Sequence, residues 1–356
     1  MKRRANNEGS IYFDTSRDNY KATITTPTKK RISKRFKTKQ EALQWIMLTK
    51  AEIHKGEYIA ASPATMGEWL FNYLEVYKKP KVRLTTMERY YSTLKLCTPI
   101  SNIKLSDLSS YSLQCFYNSL PAHLSSSTKN HVFILVNAAI RKASALGLMK
   151  DITVAVEKPK VEKPNEIEIF TLDEIKQLLA FLQNSNIYRK YYLFIKLAIA
   201  TGARLGELLA LRRENVCNGY IKIDSAAHRT KGSMFITPPK TKNSNRSITI
   251  PEDLCNELLK HSGDNYVFTS KGKIWNVETI EQAWKRILQQ ANIPHKRFHA
   301  LRHTHATQLL ANNVPLLEVS RRLGHARAST TLDLYGHAIA GYDATIAKKL
   351  NSIFNL

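Results

Sequence analysis

The chain has 356 residues, 43% of them hydrophobic, enough to bury two or three separate cores. Its 54 Lys and Arg against 29 Asp and Glu leave a formal charge of +25, and the resulting self-repulsion favours a polyanionic partner, nucleic acid before membrane. No apolar run of about twenty residues and no signal peptide are present, and Cys97, Cys115, Cys217 and Cys255 form no Cys-x-x-Cys pair, so neither a zinc module nor a disulfide framework is expected and the cytoplasm is the expected compartment.

Residues 1–60 predict a three-stranded sheet with a packed helix. Ser10–Phe13, Tyr20–Ile24 and Arg31–Phe36 read as strands separated by turn-forming Asp, Asn and Pro. Thr38 and Glu41 form a capping box, after which Ala42, Trp45, Ile46, Thr49 and Ile53 line one side of a helix. Between Thr28 and Lys39 stand seven basic residues and no acidic ones, among them Lys29, Lys30, Arg31, Lys34, Arg35 and Lys37. Such a run can simply keep an edge strand soluble. The functional reading is a sheet laid into a DNA groove, with phosphate contacts giving affinity and a few side chains reading bases.

Residues 64–156 are helical in pattern. Thr65 and Glu68 make a second capping box, and Leu70, Tyr73, Leu74 and Tyr77 recur on one face. The charged run Lys78–Arg83 then interrupts the helix, and its Lys79, Lys81 and Arg83 are expected to meet DNA. Further helices over 85–97, 110–120 and 127–146 complete a four- or five-helix bundle. A charged, proline-punctuated linker follows over 157–169. Phe170, Thr171, Glu174 and Ile175 then combine a hydrophobic staple with a capping box and open a last domain over 170–356. The fold class is α+β, with a mostly helical last domain that carries a small sheet.

In that domain Thr201-Gly-Ala-Arg204-Leu-Gly-Glu207 places Arg204 in the first turn of a helix, just past a glycine break, with Leu205, Leu208 and Leu209 at core spacing. Met234–Pro239 and Ser247–Ile250 read as the strands of one hairpin around Lys240, Lys242 and Arg246, and Lys242 and Arg246 on its solvated tip are expected to grip DNA phosphate. Near the carboxyl end come His299-Ala-Leu-Arg302-His303, Leu323-Gly324-His325 and Tyr335. Imidazoles, guanidinium forks that match a phosphate, and a phenol able to attack phosphorus are the groups needed to break a phosphodiester by covalent catalysis. His299 and His303, four apart, would share a helix face as metal ligands do, but no carboxylate sits within the motif to activate a water, and no metal is expected. His303, His305 and His337 read as packing or supporting residues.

With these motifs in this order, the chain resembles the tyrosine recombinases, most closely the integrases of temperate phages and conjugative transposons of Gram-positive bacteria. The resemblance implies a catalytic set of Arg204, a lysine, His299, Arg302, His325 and the nucleophile Tyr335, with Lys240 preferred and Lys242 as the alternative. It implies an arm-site DNA-binding role for residues 1–60, a core-binding role for 64–156 and a catalytic role for 170–356. It implies double-stranded DNA with core and arm sites as the partner, no cofactor, a homotetramer on synapsed DNA, and an excisionase and a host DNA-bending protein as accessories. Arg204 and Arg302 would hold the non-bridging oxygens with His325, Tyr335 would form a 3′-phosphotyrosyl link, and the lysine would protonate the leaving 5′ oxygen. A type IB topoisomerase would use similar chemistry on a single duplex, and a noncatalytic DNA-binding factor would not need all six positions. Ile346, Leu350, Ile353 and Phe354 fall on one face of a terminal helix, which would pack on its own chain or, by the resemblance, on a neighbouring protomer.

Overall fold

A computed structural model describes residues 9–26, 29, 31–55, 63–160, 167–230, 233–238, 245–261, 263 and 265–336. The chain divides into two compact units, Met1–Glu162 and Lys163–Leu356.

In the first unit β1 (Ser10–Asp14), β2 (Asn19–Thr25) and β3 (Arg31–Phe36) form an antiparallel sheet in sequence order. Alternation along the strands sends Ile11, Tyr20, Ala22, Ile24, Ile32 and Phe36 toward α1 (Lys39–His54), where Ala22, Ile24, Ala42 and Ile46 are buried. The Thr38 hydroxyl accepts from the Glu41 amide and the Glu41 carboxylate from the Thr38 amide, closing the expected capping box. Pairing of Tyr12 with Lys21, Lys21 with Arg35 and Thr23 with Ser33 puts these residues and Arg31 on the opposite face.

That register divides the basic run. Arg31 and Arg35 share the face away from the helix, and Arg35 is paired with Asp14 at 2.8 Å. Lys34 has the parity of Ile32 and Phe36, with its ammonium 5.7 Å from the centre of the Phe36 ring. Lys29 and Lys37 are exposed beside the strand, and Lys30 lies outside the described residues.

The bundle begins with α2 (Met66–Tyr73), capped by Thr65 and Glu68. The charged run does not stop the helical path as expected. One widened turn, Leu74–Lys78, and a tight turn, Lys79–Lys81, carry it on, and Glu75 accepts hydrogen bonds from both Lys79 and Tyr91. Lys79, Lys81 and Arg83 are exposed. Next come α3 (Leu84–Leu96), α4 (Thr98–Ser101), α5 (Ser110–Asn118) and α6 (Ser126–Ala145). Val132, Val136, Ala139, Ile140 and Ala143 of α6 pack with Leu70, Leu74 and Leu113 in a core from which water is excluded. Each buried Val, Leu or Ile among them contributes about 1.5–3 kcal/mol. The indole N–H of Trp69 donates to the Ala139 carbonyl at 2.8 Å, so its burial leaves no unmet donor.

The second unit is built on α8 (Tyr192–Thr201), which follows α7 (Leu172–Asn184) and buries Leu193, Phe194, Ile195, Leu197 and Ala198. Thr171 and Glu174 cap α7 reciprocally, and Phe170 beneath them is fully buried against Trp284. After α9 (Leu205–Leu209), β4 (Val216–Cys217), β5 (Tyr220–Ile223) and β8 (Arg246–Thr249) form one antiparallel sheet, while β6 (Ala226–Thr230) and β7 (Ser233–Thr237) form a separate hairpin. Among the described residues β7 therefore pairs with β6 and β8 with β5, which corrects the hairpin expected between residues 234–239 and 247–250. Pairing partners distant in sequence leave no local signal, whereas each strand on its own does. Lys240 and Lys242, between β7 and β8, lie outside the described residues.

The remaining elements are α10 (Glu252–His261), the short pair β9 (Thr269–Ser270) and β10 (Lys273–Ile274), α11 (Val277–Gln290), α12 (Ala300–Ala311), α13 (Leu316–Leu323) and α14 (Ala328–Tyr335). Ala306, Leu310, Val319 and Leu323 make a small second core with Tyr335. The residues expected to form a terminal helix, 346–354, lie outside the described residues, as does His337. No described helix is long and apolar enough to cross a membrane.

Candidate active site

The site is assembled from helix ends rather than from the middle of elements. Helix α8 stops at Gly202, whose φ of +63° is the left-handed conformation that glycine adopts without strain. A Cβ at this position would stand 2.6 Å from His305 Cδ2, so the site needs glycine for space as well as for conformation. Two residues later Arg204 is the residue that caps α9, one position earlier than the first turn in which it was expected. Helix α13 ends in the same way at Gly324, φ +69°, which turns the chain and delivers His325. The amino end of α12 supplies His299, Arg302 and His303, and the last residue of α14 is Tyr335.

Glu207 organises the arginines. Its carboxylate, 5% exposed, accepts from Arg204 Nη1 at 2.8 Å, from the Arg204 amide at 2.9 Å and from Arg246 Nη2 at 2.9 Å. Burial alone would raise its pKa, but the hydrogen bond and charge of Arg246, with Arg204, outweigh this and hold the carboxyl at about 2. Arg204 keeps part of its fork toward solvent, with 40% of the side chain exposed. Arg246 does not: its side chain is 6% exposed, and its Nε donates to the Arg322 carbonyl at 2.7 Å. The expected role of Arg246 as a solvent-facing phosphate contact is therefore corrected. It is a buried strut that joins β8 to Glu207 and to the end of α13.

Arg302 is buried as well, at 2% exposure, and donates to the carbonyls of Gly202 at 2.9 Å and Leu323 at 2.8 Å. These two bonds use two of its five N–H groups and tie together the helix ends that lead into Arg204 and His325. Burial and the nearby charge of Arg204 push its pKa down to about 9, so it remains cationic at neutral pH. Among the described residues the one carboxylate paired with Arg204 and Arg246 is Glu207, so with Arg302 the geometry concentrates positive charge and an anion would be favoured there.

The histidines respond to that charge. Burial, then the fields of Arg302 and Arg204, bring His325 down to about 4, and its Nδ1 lies 2.7 Å from the Thr331 hydroxyl. His305 is brought to about 4 by burial and by Arg322. Its Nδ1 meets the Ile199 carbonyl at 2.8 Å, so that nitrogen carries the proton, and Nε2 accepts from Arg322 Nε at 3.1 Å. His305 is thus a supporting residue, as expected. His299 is depressed by packing and by His303 and Arg302, yet it reaches solvent and stands edge-on to His303 with ring centres 4.8 Å apart. Beside it opens a groove of about 410 Å³ lined by Leu205, Glu281, Trp284, His295, Arg297 and Phe298.

Tyr335 is 1% exposed, and its hydroxyl lies 2.7 Å from His303 Nδ1. Burial raises its pKa, opposed by the charges of Arg302 and Arg204. Of the residues expected in the site, Arg204, His299, Arg302, His325 and Tyr335 are brought together, and Lys240 lies outside the described residues. Sequence reasoning missed Glu207, whose signal was its place one helical turn after Arg204, and it read His303 only as a packing or supporting residue, without its contact with the phenol.

The phage integrase family model matches residues 168–340, and a phage integrase N-terminal SAM-like domain matches 65–120. A tyrosine recombinase XerC-like protein of Caldanaerobacter subterraneus subsp. tengcongensis is 30% identical, the match covering 96% of this chain and 98% of the relative. Among solved structures, the Tn1549 transposon integrase in complex with transposon right end DNA has a TM-score of 0.70 at 18% identity, covering 81% of this chain and 99% of that one. The lambda integrase tetramer bound to a Holliday junction has a TM-score of 0.58 at 17% identity, covering 90% and 96%. At these identities the structural likeness establishes the fold.

Proposed function

The chain belongs to the phage integrase family and is a site-specific tyrosine recombinase, and from that premise we propose that Tyr335 is its nucleophile, in a reaction that integrates and excises a mobile element. Arg204, Arg302 and His325 hold the scissile phosphate. Tyr335 Oη attacks phosphorus to give a 3′-phosphotyrosyl ester, Lys240 protonates the departing 5′ oxygen, and His299 completes the polar wall on the solvent side. The ester conserves the bond energy, so a 5′ hydroxyl from a second duplex reverses the step and joins new partners. The observation that carries this reading is the convergence of Arg302 and Arg204 on the Tyr335 phenol at the end of α14 and on His325, which is itself bonded to Thr331 of that helix. Each donor aimed at the developing charge is expected to be worth about a hundred- to a thousandfold in rate.

The domain roles belong to the same proposal. Residues 1–60 take arm sites, 64–156 cover one face of the core duplex, 157–169 link, and 170–356 cut. The division of the chain at Glu162 supports this arrangement, as does the basic, hydroxyl-bearing face formed by Lys21, Thr23, Arg31, Ser33 and Arg35. Four copies would act on two synapsed duplexes in the cytoplasm, with an excisionase and a DNA-bending protein as accessories. Plasmids carrying the two ends of the encoding element provide the test. Joined products support the proposal, relaxation without joining favours topoisomerase chemistry, and binding without covalent capture favours a noncatalytic factor.

A further inference from the structure

The tyrosine of a phosphotyrosyl reaction must lose its proton, and a phenol has a reference pKa of about 10. In this site the pKa of Tyr335 is raised further by burial, so attack at neutral pH needs a base within hydrogen-bond reach. Among the described residues no hydrogen bond joins Tyr335 to His299, the first histidine of the His-x-x-Arg motif. His303, one position beyond Arg302 on α12, has its Nδ1 2.7 Å from Tyr335 Oη.

We infer that His303 is the general base that accepts the Tyr335 proton, a catalytic residue beyond the set of Arg204, Lys240, His299, Arg302, His325 and Tyr335. The inference rests on Tyr335 being the nucleophile. As Oη bonds to phosphorus its proton passes to His303 Nδ1, the bond from phosphorus to the 5′ oxygen breaks, and that oxygen takes a proton from Lys240. In the return step a 5′ hydroxyl attacks phosphorus and gives its proton to Lys240, the bond from phosphorus to Tyr335 Oη breaks, and His303 gives its proton back to the departing phenolate.

Three features of the surroundings suit this role. Burial and the charge of Arg302 keep His303 below the usual imidazole range, so its neutral, accepting form dominates at pH 7. The edge-on contact with His299, 4.8 Å between ring centres, restricts the plane of the His303 ring. On its other side the ring meets Tyr335, with centroids 5.6 Å apart, and the two side chains project from α12 and from the end of α14, both fixed by the core of Ala306, Leu310, Val319 and Leu323. The groups that bear on His303 are therefore Arg302 and His299 of its own segment, Tyr335 of α14, and His325 at the end of α13, which senses its charge.

The test is single-turnover covalent capture on a nicked DNA duplex taken from the end of the encoding element, with His303→Asn, His303→Gln and His299→Asn compared. Asparagine keeps a polar group near the Nδ1 position and glutamine near Nε2, and neither can take a proton. The expected loss for the His303 variants is about a hundredfold or more, with DNA affinity unchanged. The discriminating readout replaces Tyr335 by a fluorinated tyrosine whose phenol is more acidic. It should restore rate to the His303 variants far more than it accelerates the parent, because only they lack a base, whereas a purely structural defect would not respond. Differential rescue in His299→Asn and none in the His303 variants would overturn the inference and assign the base to His299. Near-parental rates in both His303 variants would also overturn it. Tyr335→Phe run alongside separates the two levels: an adduct in that variant would remove the nucleophile assignment itself.

Discussion

Arg246→Ala distinguishes a buried strut from a DNA contact by two independent measurements. The substitution leaves the Glu207 carboxylate, 5% exposed and ionised, with Arg204 as its remaining charge partner, and it removes the Nε donor from the Arg322 carbonyl. Breaking a buried ion pair from one side costs about 3–5 kcal/mol. Because Arg204 still holds Glu207 at 2.8 Å, a loss near about 3 kcal/mol is expected. Urea unfolding of the DNA-free protein measures it. A residue that gripped phosphate would behave in the opposite way, leaving stability within about 0.5 kcal/mol and lowering the salt dependence of DNA binding by about one unit of slope. A stable Arg246→Ala protein with a reduced salt slope would refute the burial argument. An unstable one with the slope intact is the predicted result. Arg246→Met should recover part of the packing but not the ion pair, and so should fall between the parent and alanine.

Acid should weaken the fold in two stages. His305 and His325 are held near 4 in the folded chain against about 6.5 unfolded, so the unfolded state binds more protons between those values. Their contribution is complete above about pH 6.5 and is lost as pH falls toward 4. Glu207, held at about 2, adds a further loss below its ordinary carboxylate range. Thermal midpoints of the DNA-free protein should therefore fall steadily from pH 7 to 4, and a flat or rising profile would contradict the assigned shifts. On the amino-terminal sheet, Lys21→Ala and Arg31→Ala should weaken arm-site DNA more than Lys34→Ala, because the register sets Lys34 on the parity of the helix-packed residues. Titration of arm DNA at two salt concentrations checks this, and equal losses at all three positions would mean that the groove contact is not confined to one face.

What could be read from the sequence was what is local. Thr38 with Glu41, Thr65 with Glu68 and Thr171 with Glu174 each announced a helix start, because both halves of the box lie within four residues. The three amino-terminal strands were legible from alternation and turn residues, and Gly202 as the break just before Arg204. The partners of β7 and β8 were not legible, since strand pairing is a long-range choice. Nor was the fate of Arg246: a basic residue in a polar stretch looks solvated until its partner Glu207, 39 residues earlier, is seen beside it. The contact of His303 with Tyr335 was hidden for the same reason, since it spans 32 residues. The site therefore displayed its chemical inventory in the sequence and withheld its wiring.

Strand exchange by this chain turns on the identity of its nucleophile. The direct measurement is to trap the protein on a nicked duplex from the end of its element, digest the complex and locate the DNA-bearing peptide by mass spectrometry. The prediction is a single modified residue, Tyr335, joined to a 3′ phosphate, and no adduct in Tyr335→Phe despite normal DNA binding. An adduct on another residue, a 5′-linked phosphate, or covalent complex surviving in Tyr335→Phe would contradict it.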